Sequence, residues 1–280
     1  MTKIFSLIIA VIVMISSLTV RAESKSASLK LDSQVALCTY KGLVEDHLCG
    51  VLRTARVIAL TSEARSAKWE SVKPMLDRFS KDLATVATVW FALPDGSYFS
   101  TETGGVSDQN LKDRSYFPKL MSGQDVLGDL VISKSTGHRS VIVATPVMVN
   151  GKVVAAVGVS VRVRLLSALL DSDTKLPDNA YFYALDPDNK IVLHRNVDRM
   201  FKNVSDVGDE SLGDAFKTIM TKDQGIFNYT LHGRKMSSIF MKSTTLGWYF
   251  FIAQEHKGAV AQKKENTSNH DARNKNSNRA

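Results

Sequence analysis

The 280-residue sequence has little of several things, and each shortage excludes a class. It holds only two cysteines, Cys38 and Cys49, too far apart for the Cys-x-x-Cys spacing of a zinc or redox site and without the Cys-x-x-Cys-His run of covalent haem attachment. It has no His-Glu-x-x-His, no Gly-x-Ser-x-Gly elbow and no Gly-x-x-x-x-Gly-Lys phosphate loop, and its six histidines are dispersed. No enzyme, metal site or cofactor is therefore expected. Only a catalytic site assembled by folding alone, such as a hydrolase triad from distant residues, would escape this search. Charged residues make up 23% of the chain, and no Lys/Arg stripe lies within its body. The formal charge of +8, less the two cations Lys3 and Arg21 of the leading segment, leaves +6. Part of that excess lies beyond His256, so a nucleic-acid groove is excluded.

After the first twenty residues, no apolar run is long enough to cross a bilayer; Val153 to Val161 and Gly247 to Ala253 are strand-sized. The leading segment differs. Lys3 precedes an apolar run from Ile4 to Val20, and Val20-Arg21-Ala22 ends in the small residue that signal peptidase favours. Residues 1–22 are therefore read as an export signal, giving a periplasmic or secreted protein. An uncleaved membrane anchor is the competing reading, disfavoured because Arg21 breaks the run. Export also bears on the cysteines, since an oxidising compartment favours a bridge. On one continuous helix they would lie about 16 Å apart, beyond bridging reach. A Cys38–Cys49 disulfide is expected only with a break between them, which Gly42 would supply.

What is abundant is the 44% of hydrophobic residues, enough to build real cores. Val44, Leu48, Val51, Leu52, Ala55, Ile58 and Ala59 keep helical spacing and predict a long amphipathic helix. A second helix is expected to start at Ser71 as N-cap, with Pro74 in its first turn and Val72, Met75, Leu76, Phe79 and Leu83 on one stripe. Strand texture follows. Thr85 to Leu93 and Ser97 to Ser100 read as a hairpin around Pro94-Asp95-Gly96. A loop opens at Gly104-Gly105, and Arg114 to Met121 holds a short helix. Strands 126–133, 140–149 and 152–161 come next, the last two joined by Asn150-Gly151, a strong hairpin signal. Residues 164–171 read as a helical connector. The grammar then repeats more weakly: strands 181–185 and 190–194, a helix over 211–220, and a meander over 226–231, 234–241 and 248–253. Strands in succession without strict alternation with helices give an α+β class. The implied organisation is a signal (1–22), an N-terminal helical region (23–83), a first sheet unit (84–170), a second (171–255) and a polar tail (256–280) expected to be disordered.

Along this order of elements run the motifs Leu111-Lys112-Asp113-Arg114-Ser115-Tyr116-Phe117, Gly123, Ser133-Lys134-Ser135-Thr136-Gly137-His138-Arg139, Pro146-Val147, Asn150-Gly151-Lys152-Val153-Val154 and Val157-Gly158-Val159. Motifs and element order together resemble the double Cache sensor modules, two tandem PAS-like units behind a long helix, found outside the membrane in bacterial chemoreceptors and histidine kinases. Gly233 and Leu246-Gly247-Trp248 resemble the closing strands of the membrane-proximal unit. Residues 40–255 are covered, and the order of the motifs matters more than any one of them.

The resemblance implies a ligand held in the membrane-distal unit, between its sheet and the covering loop and helix. Arg114 would grip an anionic group, and Tyr116 and Phe117 would form the wall. A guanidinium suits a carboxylate because its donor fork matches the two oxygens; the bland reading is a surface pair with Asp113. Lys134 and His138 would border the pocket from a turn, and Asp129 would be an acceptor or an outward strand residue. Where amino-acid-binding members carry an Asp after the Gly-Val, this chain has Ser160, which supplies no counter-charge for an ammonium. A carboxylate or other polar metabolite is therefore expected rather than an α-amino acid. Trp90 and Tyr98 are read as core, and His194, Arg195 and Trp248 as structural, because the proximal unit usually lacks a ligand. A membrane-bound signalling or transport protein would receive the output, since no output domain is encoded. The alternative is a ligand-free docking module. No local motif encodes the ligand's identity or an oligomeric state.

Overall fold

The computed structural model describes residues 32–83, 87–134, 137–208 and 210–256. The expected signal segment, and all of the expected tail but His256, lie outside these residues. Helix α1, Ser33–Ala59, carries Leu37, Tyr40, Val44, Leu48, Val51, Leu52, Ala55 and Ile58 on its buried stripe. Its 27 residues make a rod about 40 Å long. The short helix α2 (Ser62–Arg65) is capped by Thr61, whose hydroxyl accepts from Ala64 N–H at 3.2 Å. Helix α3 then spans Trp69–Asp82.

Two expectations fail in this region. Helix α1 runs unbroken through Gly42, where an added Cβ would meet nothing within 4 Å, so Cys38 and Cys49 sit on one rod and are both free thiols. Eleven residues of helical rise hold them about 16 Å apart, which forbids the expected disulfide. Helix α3 starts before Ser71, with Lys68 at the N-cap and Pro74 inside the helix. The reason is tertiary: Trp69 is buried and stacks on Phe99 with ring centroids 4.9 Å apart, and the chain must already be helical to place it there.

The first sheet has six antiparallel strands in the order β3-β2-β1-β6-β5-β4. They are β1 (Ala87–Ala92), β2 (Ser97–Ser100), β3 (Gly105–Asn110), β4 (Val126–Ile132), β5 (Arg139–Val149) and β6 (Lys152–Arg162). Strand β3 was expected to be loop. Its sequence, Gly-Val-Ser-Asp-Gln-Asn, has no apolar period to read, because an edge strand can expose most of its side chains. Asn150 and Gly151 both take positive φ, 49° and 74°, the mirror-image turn whose twist matches the strands it joins.

Helix α4 (Phe117–Met121) covers part of the first sheet, and α5 (Val163–Thr174) leads out of β6 toward the second. That sheet has the order β8-β7-β11-β10-β9. Its strands are β7 (Ala180–Leu185), β8 (Ile191–His194), β9 (Gln224–Leu231), β10 (Arg234–Lys242) and β11 (Tyr249–Glu255), with α6 (Val204–Val207) and α7 (Glu210–Ile219) between β8 and β9. The class is α+β, as expected.

Period-two alternation splits each sheet into an inner and an outer face. Val89 and Phe91 on β1, Val141 and Val143 on β5, and Val157 and Val159 on β6 face inward. Phe182 on β7 and Phe250 on β11 join the same core, which is continuous beneath α1 across both sheets. Tyr40 packs against both rings, 4.2 Å from Phe182 and 5.5 Å from Phe250 between centroids. Each outer face carries its own satellite core, around Trp90, Leu120 and Ile142 in the first unit and around Tyr183, Phe216 and Phe251 in the second. At the boundary, Gly128 in the bulge of β4 lies against Trp248; a Cβ there would sit 3.3 Å from the indole nitrogen.

Candidate functional site

The outer face of the first sheet holds a cleft enclosing about 510 Å³ including its mouth, of which the inner void is about 40 Å³. The void has room for a water or two. The floor follows from strand register. Trp90 pairs with Gly158 and Thr88 with Ser160 across β1 and β6, so their side chains share one face. The Trp90 indole lies flat over Gly158, where any Cβ would come within 2.1 Å of the ring. Trp90 Nε1–H donates to Ser160 Oγ at 3.2 Å. Tyr98 and Tyr116 complete an aromatic surround. Tyr116 is buried, and burial raises its phenol well above the ordinary value against the opposing pull of Arg114. Its hydroxyl is therefore a neutral donor at any physiological pH.

Two walls face each other above this floor. One is the turn before α4, where Arg114 N–H donates to Leu111 O at 2.9 Å and Phe117 N–H to Arg114 O at 3.0 Å. The other is the end of β4 with the loop that follows it. Arg114 Nη2 crosses between them to donate to Ile132 O at 2.8 Å. Lys134 crosses the other way, with Nζ 2.6 Å from both carboxylate oxygens of Asp113. This ammonium holds the Asp113 carboxyl below the usual carboxylate range. At the other side of the cleft, Glu102 pairs with Arg162 at 2.9 Å and accepts the Thr88 hydroxyl at 3.0 Å.

The charges of the cleft are thus mostly matched, with one exception. Lys134 has Asp113 and Arg162 has Glu102, whereas Arg114 makes no ion pair among the described residues and its guanidinium is bonded to a neutral carbonyl. The carbonyl engages one donor of the guanidinium fork, whereas a carboxylate can accept two at once and brings the opposite charge.

Of the residues singled out from sequence, Arg114, Tyr116, Lys134, His138 and Ser160 line this cleft. Phe117 is buried in the satellite core behind the wall. Asp129 lies on β4 behind Tyr116, where its own burial raises its carboxyl pKa and its charge adds to the rise at Tyr116. Neither touches the cleft. Trp90 and Tyr98, read as core, are both buried and exposed to the cleft through one edge. Arg162 and Glu102 were not singled out. Arg162 was legible, since it stands two positions beyond Ser160 on the same strand and must share its face. Glu102 was not, because only the folding of the turn after β2 brings it to Arg162.

Among the described residues, no group of His, Cys, Asp and Glu is arranged to hold a metal, and no helix is long and apolar enough to cross a membrane.

Comparison with known proteins agrees with this architecture. The family model for the Cache domain, dCache_1, matches residues 23–262. No curated protein sequence matches significantly. Among solved structures, the ligand-binding domain of the Pseudomonas aeruginosa amino acid chemoreceptor PctB in complex with L-Arg is 18% identical, covering 79% of this chain and 91% of that one with a TM-score of 0.61. The Vibrio cholerae histidine kinase DctB sensor domain is 13% identical, with 81% and 96% coverage and a TM-score of 0.61. The ligand-binding domain of the Pseudomonas fluorescens chemoreceptor CtaA in complex with L-isoleucine is 16% identical, with 82% and 91% coverage and a TM-score of 0.60. At these identities the likeness establishes the fold alone, and the family match extends it: the chain belongs to the Cache domain family of extracytoplasmic sensor domains, which bind ligands rather than catalyse reactions.

Proposed function

We propose that the chain is a periplasmic sensor that holds a small organic acid in the outer cleft of its first, membrane-distal sheet unit, and that a membrane-bound signalling or transport protein reads its occupancy. The reading rests on Arg114, the cleft cation that makes no ion pair among the described residues, aimed between two walls that its own bond to Ile132 O draws together. PctB and CtaA hold amino acids. Here the lining carboxylate, Glu102, is engaged by Arg162 and Thr88, and Ser160 accepts from Trp90. An incoming ammonium group would meet no available counter-charge, so a carboxylate without an α-amino group fits better.

Binding would exchange the Arg114–Ile132 bond for an ion pair with the ligand's carboxylate and release the end of β4. The same strand touches the second unit where Gly128 meets Trp248, which gives a physical route between cleft and partner.

The test is calorimetric and thermal titration of the exported chain with succinate, beside L-aspartate, which adds only an ammonium. Succinate at a hundred times its dissociation constant should raise stability by about 2.7 kcal/mol, L-aspartate should bind at least tenfold more weakly, and Arg114→Ala should abolish both without lowering Tm. Tighter binding of L-aspartate, or undiminished binding by the variant, defeats the reading.

A further inference from the structure

The second unit contains a site of a different chemistry. On the outer face of its sheet, a slot of about 330 Å³ including its mouth lies between β8, α6, α7 and β9. Its body is apolar, with Val207, Leu212 and Phe216 on the helices facing Tyr181, Tyr183 and Tyr229 on the strands. At one end stand His194 and Arg199.

That end has a hydrogen-bonding peculiarity. The backbone N–H of Asn196 donates to His194 Nδ1 at 2.7 Å, so Nδ1 is an acceptor and carries no proton. A neutral imidazole must then carry its proton on Nε2. Arg199 Nη1 lies 3.5 Å from that Nε2. Both atoms are donors, and the approach is not a hydrogen bond. Arg199 forms no ion pair among the described residues, while its neighbour Arg195 pairs with Asp171 at 2.9 Å. Two donors therefore converge at the end of an aromatic slot, where a single anionic oxygen pair could accept from both. A separate recess, lined also by Arg234 and Glu255, shares Tyr181, Arg199 and Leu231 with the slot.

We propose that this slot is a second ligand site, for a small apolar carboxylate with a planar or branched body, whose carboxylate accepts from His194 Nε2–H and Arg199 while its body lies among Tyr181, Tyr183 and Phe216. A sheet face that existed only to close a core would place aliphatic side chains at this end; a buried imidazole and a guanidinium side by side cost desolvation that a bound anion returns. The proposal is independent of the cleft in the first unit, and it replaces the expectation that His194 is merely structural.

The experiment uses benzoate as probe and the full exported chain carrying Arg114→Ala, which disables the first cleft and leaves this slot untouched. Titration should show one saturable site, with shifts in the NMR signals of His194 and of the slot tyrosines. Arg199→Gln should weaken binding at least tenfold, and Val207→Phe, which fills the slot from a half-buried helix position, should abolish it; thermal melts check that both variants fold. Benzyl alcohol, of similar shape without the charge, should bind at least tenfold more weakly than benzoate. Absence of benzoate binding, equal binding by the Arg199→Gln protein, or a nitrogen spectrum placing the proton on His194 Nδ1 each overturns the proposal.

Discussion

On the outer face of the first sheet Trp90 lies across Gly158, whereas on the outer face of the second sheet Tyr183 lies across Phe251, its ring parallel to within 3° and 4.6 Å away. In both cases a strand-one aromatic meets its cross-strand partner on the central strand. The glycine lets the indole sink onto the backbone and leaves space above it, which polar side chains from both walls surround. The phenylalanine fills that layer, and the slot beside it is lined mainly by aromatic and aliphatic side chains. Two sheets that share one inner core thus differ in the size of a single side chain at this position, and in the charged groups around it.

The comparison can be broken from either side. Phe251→Ala should be the costlier substitution, about 3–5 kcal/mol from the cavity under Tyr183. Gly158→Ala adds atoms instead, and the forced movement of Trp90 should cost about 1–3 kcal/mol. Chemical denaturation ranks the two. The second substitution should also eliminate succinate binding at the cleft of the first sheet and spare the slot of the second, and an intact cleft in that variant would show that Trp90 is not its floor.

Acid sharpens the same contrast. The cleft of the first sheet holds its carboxylates in pairs near the surface, whereas the slot of the second buries His194 between Tyr181, Tyr183, Arg195 and Arg199. Burial, helped by the two arginines, lowers the imidazole pKa from 6.5 to about 3. Between those values the unfolded chain takes up a proton that the folded chain refuses, so this contribution to stability is complete above pH 6.5 and is lost as the pH falls toward 3. The slope from this group is at most about 1.4 kcal/mol per pH unit. Urea titrations from pH 7 to 4 should show it, and His194→Gln should flatten it; an unchanged slope in the variant would place the acid sensitivity elsewhere.

The smallest effect is expected at the cysteines. Since α1 holds both thiols apart, a reducing agent should leave Tm unchanged, and a thiol reagent should label exposed Cys38 in the folded protein. A reductant-sensitive Tm would mean that α1 is broken at Gly42 in solution.

Much of this was legible in the sequence, and the failures share a cause. The α1 stripe, the Asn150-Gly151 turn and the alternating valines of β5 and β6 were readable because their periodicity is local. Arg114, Tyr116, Lys134, His138 and Ser160 could be gathered by resemblance. Strand β3 was missed because an edge strand needs no apolar face, α3 starts early because Trp69 seeks Phe99, and the disulfide was expected from the compartment rather than from the continuity of a helix. Phe117 follows the cleft residue Tyr116 in the chain and Asp129 stands two positions before Val131, yet neither lines the cleft, and Glu102 reaches Arg162 from sixty positions away.

The sequence by itself determined the α+β class and the two sheet units, because hydrophobic periodicity is a property of neighbours along the chain. Only the tertiary structure decided which cation goes without an ion pair, which aromatic has a glycine beneath it, and which imidazole nitrogen bears the proton. Those outcomes depend on distances between residues far apart in sequence, and no local pattern records them.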